Sequence, residues 1–130
     1  MKKRTIIFAF ALALLLLTSI GASALMRWLY VSTFDTSLNF SGTTANCGTV
    51  ITAHSNSATI TATARLIRIN ANGSETTIRT WGNLSGTGRL IFSDTQAVTR
   101  GFTYRLEVDA TVSTPQGSES ISGSSTARCP

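Results

Sequence analysis

From Phe102 to Ser113 apolar and polar residues alternate without a break: Phe102, Tyr104, Leu106, Val108, Ala110 and Val112 against Thr103, Arg105, Glu107, Asp109, Thr111 and Ser113. An amphipathic helix repeats every 3.6 residues, so a strict period of two over this length predicts a strand with one buried and one wetted face, as in antiparallel sheets. The same rhythm runs through Ala58, Ile60, Ala62, Ala64 and Leu66, with Thr59, Thr61, Thr63 and Arg65 on the other side. After Leu66 the apolar parity passes to Ile67 and Ile69, which predicts a β-bulge near Leu66, because one extra residue turns the following side chains over. Shorter strands are predicted at Trp28 to Phe34, Leu38 to Phe40, Gly48 to Ala53, Thr76 to Trp81, Arg89 to Ser93 and Ser118 to Ala127. Between them, Asn72-Gly73 predicts a type I′ hairpin turn, and Gly86-Thr87-Gly88 and Pro115-Gln116-Gly117 mark further connections. No segment has helical periodicity. About seven short strands point to an all-β chain, a single antiparallel sandwich of two sheets.

The amino terminus follows a different pattern. Met1, Lys2, Lys3 and Arg4 precede an unbroken apolar run from Ile6 to Leu17, then Thr18, Ser19 and Gly21, the three zones of a secretory signal. Ala22 and Ala24 flank Ser23 in the A-x-A pattern of a cleavage site, which places the cut between Ala24 and Leu25. The competing reading is an uncleaved anchor, but a bilayer span needs about 20 apolar residues and the core run is shorter. The expected organisation is a signal peptide over residues 1–24 and a β-sandwich domain over 25–130, in which about 118–130 form a loose last strand and tail. A secreted, extracellular protein is the expected product, with no membrane attachment after cleavage.

Removing the signal changes the composition. The whole chain carries a formal charge of +5 and a mean hydropathy of +0.18. Lys2, Lys3 and Arg4 leave with the signal, so eight arginines and no lysine then face six acids and the charge falls to about +2. So weak a positive field does not suit nucleic acid. The remaining residues, rich in Thr, Ser and Gly, are numerous enough for one domain with one core.

Val98, Gly101, Tyr104, Leu106, Val108 and Ala110 stand in the order V-x-x-G-x-x-Y-x-L-x-V-x-A. This segment resembles the tyrosine corner of fibronectin type III and related Ig-like domains, and departs from it in having Arg100 where a proline is usual. The resemblance implies an Ig-like, fibronectin type III-like sandwich in which Gly101 and Tyr104 form a structural corner, the tyrosine hydroxyl bonding back to the backbone. The wider layout, with a signal, an aromatic first strand, Trp81 and a G-x-x-Y strand, is similar to short secreted proteins of Gram-positive bacteria. That likeness brings no activity with it.

Two cysteines follow the signal, Cys47 and Cys129, and an even count in an exported chain reads first as a disulfide. Cys47 opens the predicted second strand and Cys129 closes the last, so an Ig-like topology permits the bond, which would stabilise the fold by about 4.5 kcal/mol on the chain-entropy model. A free pair and an interchain link through Cys129 are the alternatives. Neither cysteine has C-x-x-C spacing, and His54 is the sole histidine, too little for a Cys/His metal site.

Catalytic chemistry lacks a frame. His54 lies in a predicted turn, and no G-x-S-x-G elbow accompanies it. Glu107 and Asp109 share the outward face of one strand, whereas glycosidase pairs face each other across a cleft; with Arg105 they read as a cross-strand charge ladder. Asp94 and Asp109 lack the clustered carboxylates of a calcium loop. No catalytic residue, metal or cofactor is therefore expected. Arg65, Arg68, Arg79, Arg89, Arg100 and Arg105 read as scattered surface charges, the sharper alternative being a patch for an acidic polymer. Trp28, Tyr30 and Trp81 read as core rather than a sugar-stacking platform. The sequons at Asn39, Asn72 and Asn83 carry no role in a chain whose signal looks bacterial. The expected function is a non-enzymatic binding or structural module at the bacterial envelope or a host surface, with a protein or a surface glycopolymer as partner. A secreted effector, either an antagonistic toxin or an enzyme inhibitor, is the alternative.

Overall fold

The computed structural model describes residues 28–130; the signal segment and the cut between Ala24 and Leu25 lie outside the described residues. Seven strands follow in order: β1 (Val31–Ser41), β2 (Thr44–Ala53), β3 (Thr59–Ile69), β4 (Glu75–Thr87), β5 (Arg89–Ala97), β6 (Thr103–Thr114) and β7 (Gly117–Arg128). They form two antiparallel sheets, one ordered β1-β2-β5 and the other β4-β3-β6-β7. Among the described residues no helix is long and apolar enough to cross a membrane.

The core follows from strand parity. Ile60, Ala62, Ala64 and Leu66 of β3 and Tyr104, Leu106, Val108, Ala110 and Val112 of β6 face inward, and these two strands are paired in continuous register. Opposite them, β2 contributes Ala45, Cys47, Ile51 and Ala53, and β5 adds Leu90 and Phe92. Burying an aliphatic side chain of this size stabilises by about 1.5–3 kcal/mol, so the two central strands supply most of the driving force. The inward positions of β2 include Thr49, only 2% exposed, whose hydroxyl donates to the Asp35 carbonyl at 2.8 Å. That bond removes the cost of desolvating a hydroxyl.

Three local expectations are corrected. The separate strands predicted at Trp28 to Phe34 and Leu38 to Phe40 are one strand, β1, joined to β2 by the two-residue turn Gly42-Thr43. Consequently β2 starts at Thr44 rather than Gly48. A register break falls between Leu66 and Ile67, where the parity change predicts a bulge, but the extra residue lies in the neighbouring strand: β3 stays in register with β6, while β4 gains a residue between Arg79 and Thr77 and another between Leu84 and Trp81. Ile67 is buried outside the core cluster, on the outer side of the sheet, and Ile69 is half-buried there, so the apolar parity change needs no bulge in β3. Asn72-Gly73 does not form a type I′ turn. Asn70 and Ser74 close a three-residue loop through Asn70 N–H to Ser74 carbonyl at 2.8 Å, and only Gly73 has positive φ, at 86°. Three-residue hairpins place a single left-handed residue, usually glycine, at the end of the loop.

The cysteines also depart from expectation. Both are free thiols and both are buried, so the disulfide between Cys47 and Cys129 is not formed. The reason is the earlier start of β2. Cys47 is its fourth residue, opposite Leu38 and Asp94, whereas Cys129 lies beside the β1 to β2 turn, its thiol donating to the Gly42 carbonyl at 3.5 Å. The two thiols therefore have different neighbours: Cys47 lies within the β1-β2-β5 sheet, and Cys129 is held against the turn that precedes β2.

Candidate functional site

On β3 and β6 the odd-numbered residues point outward, and on β7 the even-numbered ones do, so three adjacent strands build one face. Its rows are set by register: Thr61, Thr111 and Ser120; Thr63, Asp109 and Ser122; Arg65, Glu107 and Ser124. Each row holds hydroxyls or charges, because any apolar residue at these positions would be left in water.

The charges on this face are paired. Arg65 Nη2 lies 2.9 Å from Asp109 Oδ2 and 3.5 Å from Glu107 Oε2. Arg105 Nη2 donates to Glu75 Oε1 at 2.6 Å and Arg105 Nε to Glu107 Oε1 at 2.8 Å. The bond to Glu75, followed by that to Glu107, holds the Arg105 guanidinium protonated beyond its ordinary range. Exposed pairs of this kind contribute about 0–1 kcal/mol each, so the network orients side chains more than it stabilises the fold. It forms the charge ladder expected for Arg105, Glu107 and Asp109. With Arg128 in the outer row opposite Thr103, the cations and carboxylates of the face balance.

Two shallow concavities lie on this surface. The larger, about 450 Å³, is lined by Thr61, Thr63, Asn83, Asp109, Thr111 and Ser122 among others. The smaller, about 280 Å³, lies beside it over Arg65, Glu107, Asp109 and Ser124. Asp109 is common to both, and its second oxygen accepts from Ser122 Oγ at 2.7 Å. Asn83 reaches the larger concavity because it is part of the β4 bulge, with φ of +56°, a left-handed conformation that asparagine tolerates better than most residues. In the sequence Asn83 stands out only as a sequon, and no local pattern joins Thr61, Thr63, Ser120 and Ser122. The available signal was a run of hydroxyls at outward parity on three strands, but the adjacency of those strands is not written locally.

The other sequence candidates are dispersed. Trp81 is buried, packs against Phe92 in a tilted arrangement with ring centres 5.2 Å apart, and donates its indole N–H to Asp94 Oδ2 at 2.7 Å. Arg79 lies over its ring at 5.0 Å and reaches Asp94 at 3.3 Å. The Thr95 N–H and then the Trp81 indole hold the Asp94 carboxyl below the usual carboxylate range, while burial and then Asp94 push the Cys47 thiol up to about 11. Trp28 is exposed and packs on Phe34 at 6.0 Å, and Tyr30 is half-buried near Gly117, so Trp28, Tyr30 and Trp81 do not form one platform. Arg68 stacks over Phe102 and Arg89 lies on the other sheet, so the six arginines do not gather into one patch. His54 is exposed in the turn after β2, and its backbone N–H donates to the Tyr30 carbonyl at 2.9 Å. Asp94 and Asp109 occupy different sheets, and among the described residues no group of His, Cys, Asp and Glu side chains is placed to hold a metal. At the corner, the Tyr104 hydroxyl accepts from the Thr99 N–H at 2.9 Å and donates to the Thr99 carbonyl at 3.3 Å, two residues before Gly101.

No family model matches this chain, and no curated protein matches it. Among solved structures, the chain has a distant, partial likeness to Spo0M, a sporulation control protein from Bacillus subtilis, at 14% identity and a TM-score of 0.36. The matched region covers 76% of this chain and 48% of that one, so this chain spans about half the length of the protein it matches.

Proposed function

We propose that the chain is an exported, non-enzymatic binding module of the fibronectin type III-like class, and that its four-stranded face takes an uncharged, hydroxyl-rich glycan. The class is supported by the strand orders β1-β2-β5 and β4-β3-β6-β7 together with the Tyr104 corner. Export is supported by residues 1–24, which have the zones of a secretory signal. The glycan reading is carried by the concavity of about 450 Å³, whose lining sets Thr and Ser residues, Asn83 and the carboxylate residue Asp109 beside Ala62, Ala110 and Ile121. Hydroxyls both donate and accept, as the ligand's own hydroxyls do, so such a lining can exchange hydrogen bonds with water for hydrogen bonds with a sugar at little cost. Balanced charge disfavours a polyanion relative to a neutral polymer. Without an aromatic ring to stack on, each site binds weakly.

Expression of the whole gene in an exporting host, followed by titration of the protein from the medium, tests this reading. The intact mass is expected to start at Leu25. Neutral envelope oligosaccharides are expected to shift the amide resonances of Thr61, Thr63, Asn83, Asp109, Thr111 and Ser122, and Asp109→Ala to weaken binding by about tenfold, the loss of one charge-assisted hydrogen bond. Recovery of full-length protein from membranes alone would refute export. Shifts absent from this face, or tighter binding of an anionic polymer, would refute the glycan site.

A further inference from the structure

The four-stranded sheet ends at β7, and this edge differs from the other three. β1 breaks register between Val31 and Thr33 and carries Asp35; β4 breaks register twice. β5 is the shortest strand, at nine residues, and carries Arg89 and Asp94. Bulges, charges and short length are the usual protections against unwanted strand pairing. β7 also carries two charges, but Glu119 is taken up by the Leu29 and Tyr30 N–H groups at 2.9 and 3.0 Å and Arg128 is its last residue; the strand has no bulge or proline and stays in register with β6 over all 12 of its residues.

The parity of β7 shows which backbone groups are free. Cys129 donates its N–H to Phe102 and accepts from the Gly101 N–H, both at 2.9 Å. Odd residues of β7 therefore turn their backbone toward β6, and even residues turn theirs away from the sheet. Ser118, Ser120, Ser122, Ser124 and Thr126 are the outward set, and all are exposed.

We propose that β7 pairs antiparallel with β7 of a second copy, about a two-fold axis at Ser122. Outward residues must meet outward residues. Centring on Ser122 opposes Ser120 to Ser124 and Ser118 to Thr126, and forms about ten inter-strand hydrogen bonds. A second copy is the fitting occupant because the segment complements itself: the opposed outer side chains are short hydroxyls, and Glu119 meets Ser125, so no like charges meet. Two four-stranded sheets then become one of eight. Because Asp109 is registered with Ser122, the axis places the row Thr63, Asp109 and Ser122 in line with its copy, with the two Asp109 residues three strand spacings, about 14 Å, apart. The paired concavities then form a bivalent surface; this consequence rests on the glycan reading, whereas the pairing itself does not.

Analytical ultracentrifugation from micromolar to millimolar protein tests the pairing. The unsubstituted protein is expected to pass from monomer to dimer. Ser120→Lys with Ser124→Lys places lysine opposite lysine twice and is expected to weaken the dimer by more than about tenfold, whereas Ser120→Lys with Ser124→Glu places lysine opposite glutamate and restores it. Ser124→Pro removes one outward N–H without touching the β6 pairing and is expected to weaken the dimer without a charge change. Circular dichroism melts verify that each variant is folded. A protein that stays monomeric at millimolar concentration, a Lys/Lys variant that dimerises like the parent, or a Lys/Glu variant as monomeric as Lys/Lys would overturn the pairing. Loss of glycan binding with an intact dimer would overturn only the glycan reading.

Discussion

Tyr104→Phe removes a single oxygen from a side chain that is 1% exposed, leaving its ring against Phe40, with ring centres 5.8 Å apart. Packing is retained, so the change isolates the corner hydrogen bonds. The hydroxyl accepts from the Thr99 N–H at 2.9 Å and reaches the Thr99 carbonyl at 3.3 Å. Losing a typical bond costs about 1 kcal/mol net, and leaving a partly buried N–H without an acceptor adds about 1–2 kcal/mol. A loss of about 2 kcal/mol is therefore expected. For a domain of about 100 residues this lowers Tm by roughly 8–16 °C. Urea and thermal unfolding followed by circular dichroism measure it, with an unchanged m-value showing that only stability has moved. Tyr30→Phe makes the same chemical change at a half-buried tyrosine without a hydrogen bond to its hydroxyl among the described residues, and is expected to stay within about 0.5 kcal/mol. Equal effects of the two substitutions would refute the claim that the Tyr104 hydroxyl pins the corner.

Three further outcomes concern buried groups and backbone shape. Because Cys47 and Cys129 are free and buried, a thiol reagent is expected to label neither quickly in the folded protein and both after unfolding; one labelled thiol or none after unfolding would contradict this. The Cys47 thiol, raised from 9.0 to about 11, keeps its proton in the folded chain while the unfolded chain loses it. Folding stability is thus unaffected below about pH 9 and falls between about pH 9 and pH 11 by at most about 1.4 kcal/mol per unit, and Cys47→Ala is expected to flatten that decline in urea titrations. Gly88→Ala and Gly73→Ala both put a side chain at positive φ, but the added Cβ at Gly88 would meet the Asn56 carbonyl oxygen at 2.8 Å and at Gly73 meets nothing within 4 Å. Gly73→Ala is expected to cost about 1–2 kcal/mol and Gly88→Ala clearly more, so equal shifts in Tm would show that the Asn56 contact is immaterial.

What could be read without the structure was what depends on near neighbours in the chain. Alternation in Phe102 to Ser113 is a property of each residue and the next, so it identifies β6 and its inward side chains directly. The Gly101 and Tyr104 pair was also legible, because a corner is closed by residues five apart, Thr99 and Tyr104. Turn chemistry was legible in place but not in type, since Asn72-Gly73 suits more than one loop and the closing pair, Asn70 and Ser74, decides which is formed.

Properties of strands relative to one another needed the tertiary structure. The extent of β2 depends on its pairing with β1 and β5, and four added residues, Thr44 to Cys47, carried Cys47 into the paired strand, while Cys129 lies against the Gly42 turn. Which strand carries the bulges depends on which neighbour stays in register, and that choice places Asn83 beside Thr63 and Asp109. Periodicity and composition are local, so they suffice for an all-β chain, its inward residues and a segment with the zones of an export signal. The hydroxyl face, the unpaired thiols and the unbulged edge of β7 belong to the tertiary structure, because hydrogen bonds between strands join residues far apart in the chain.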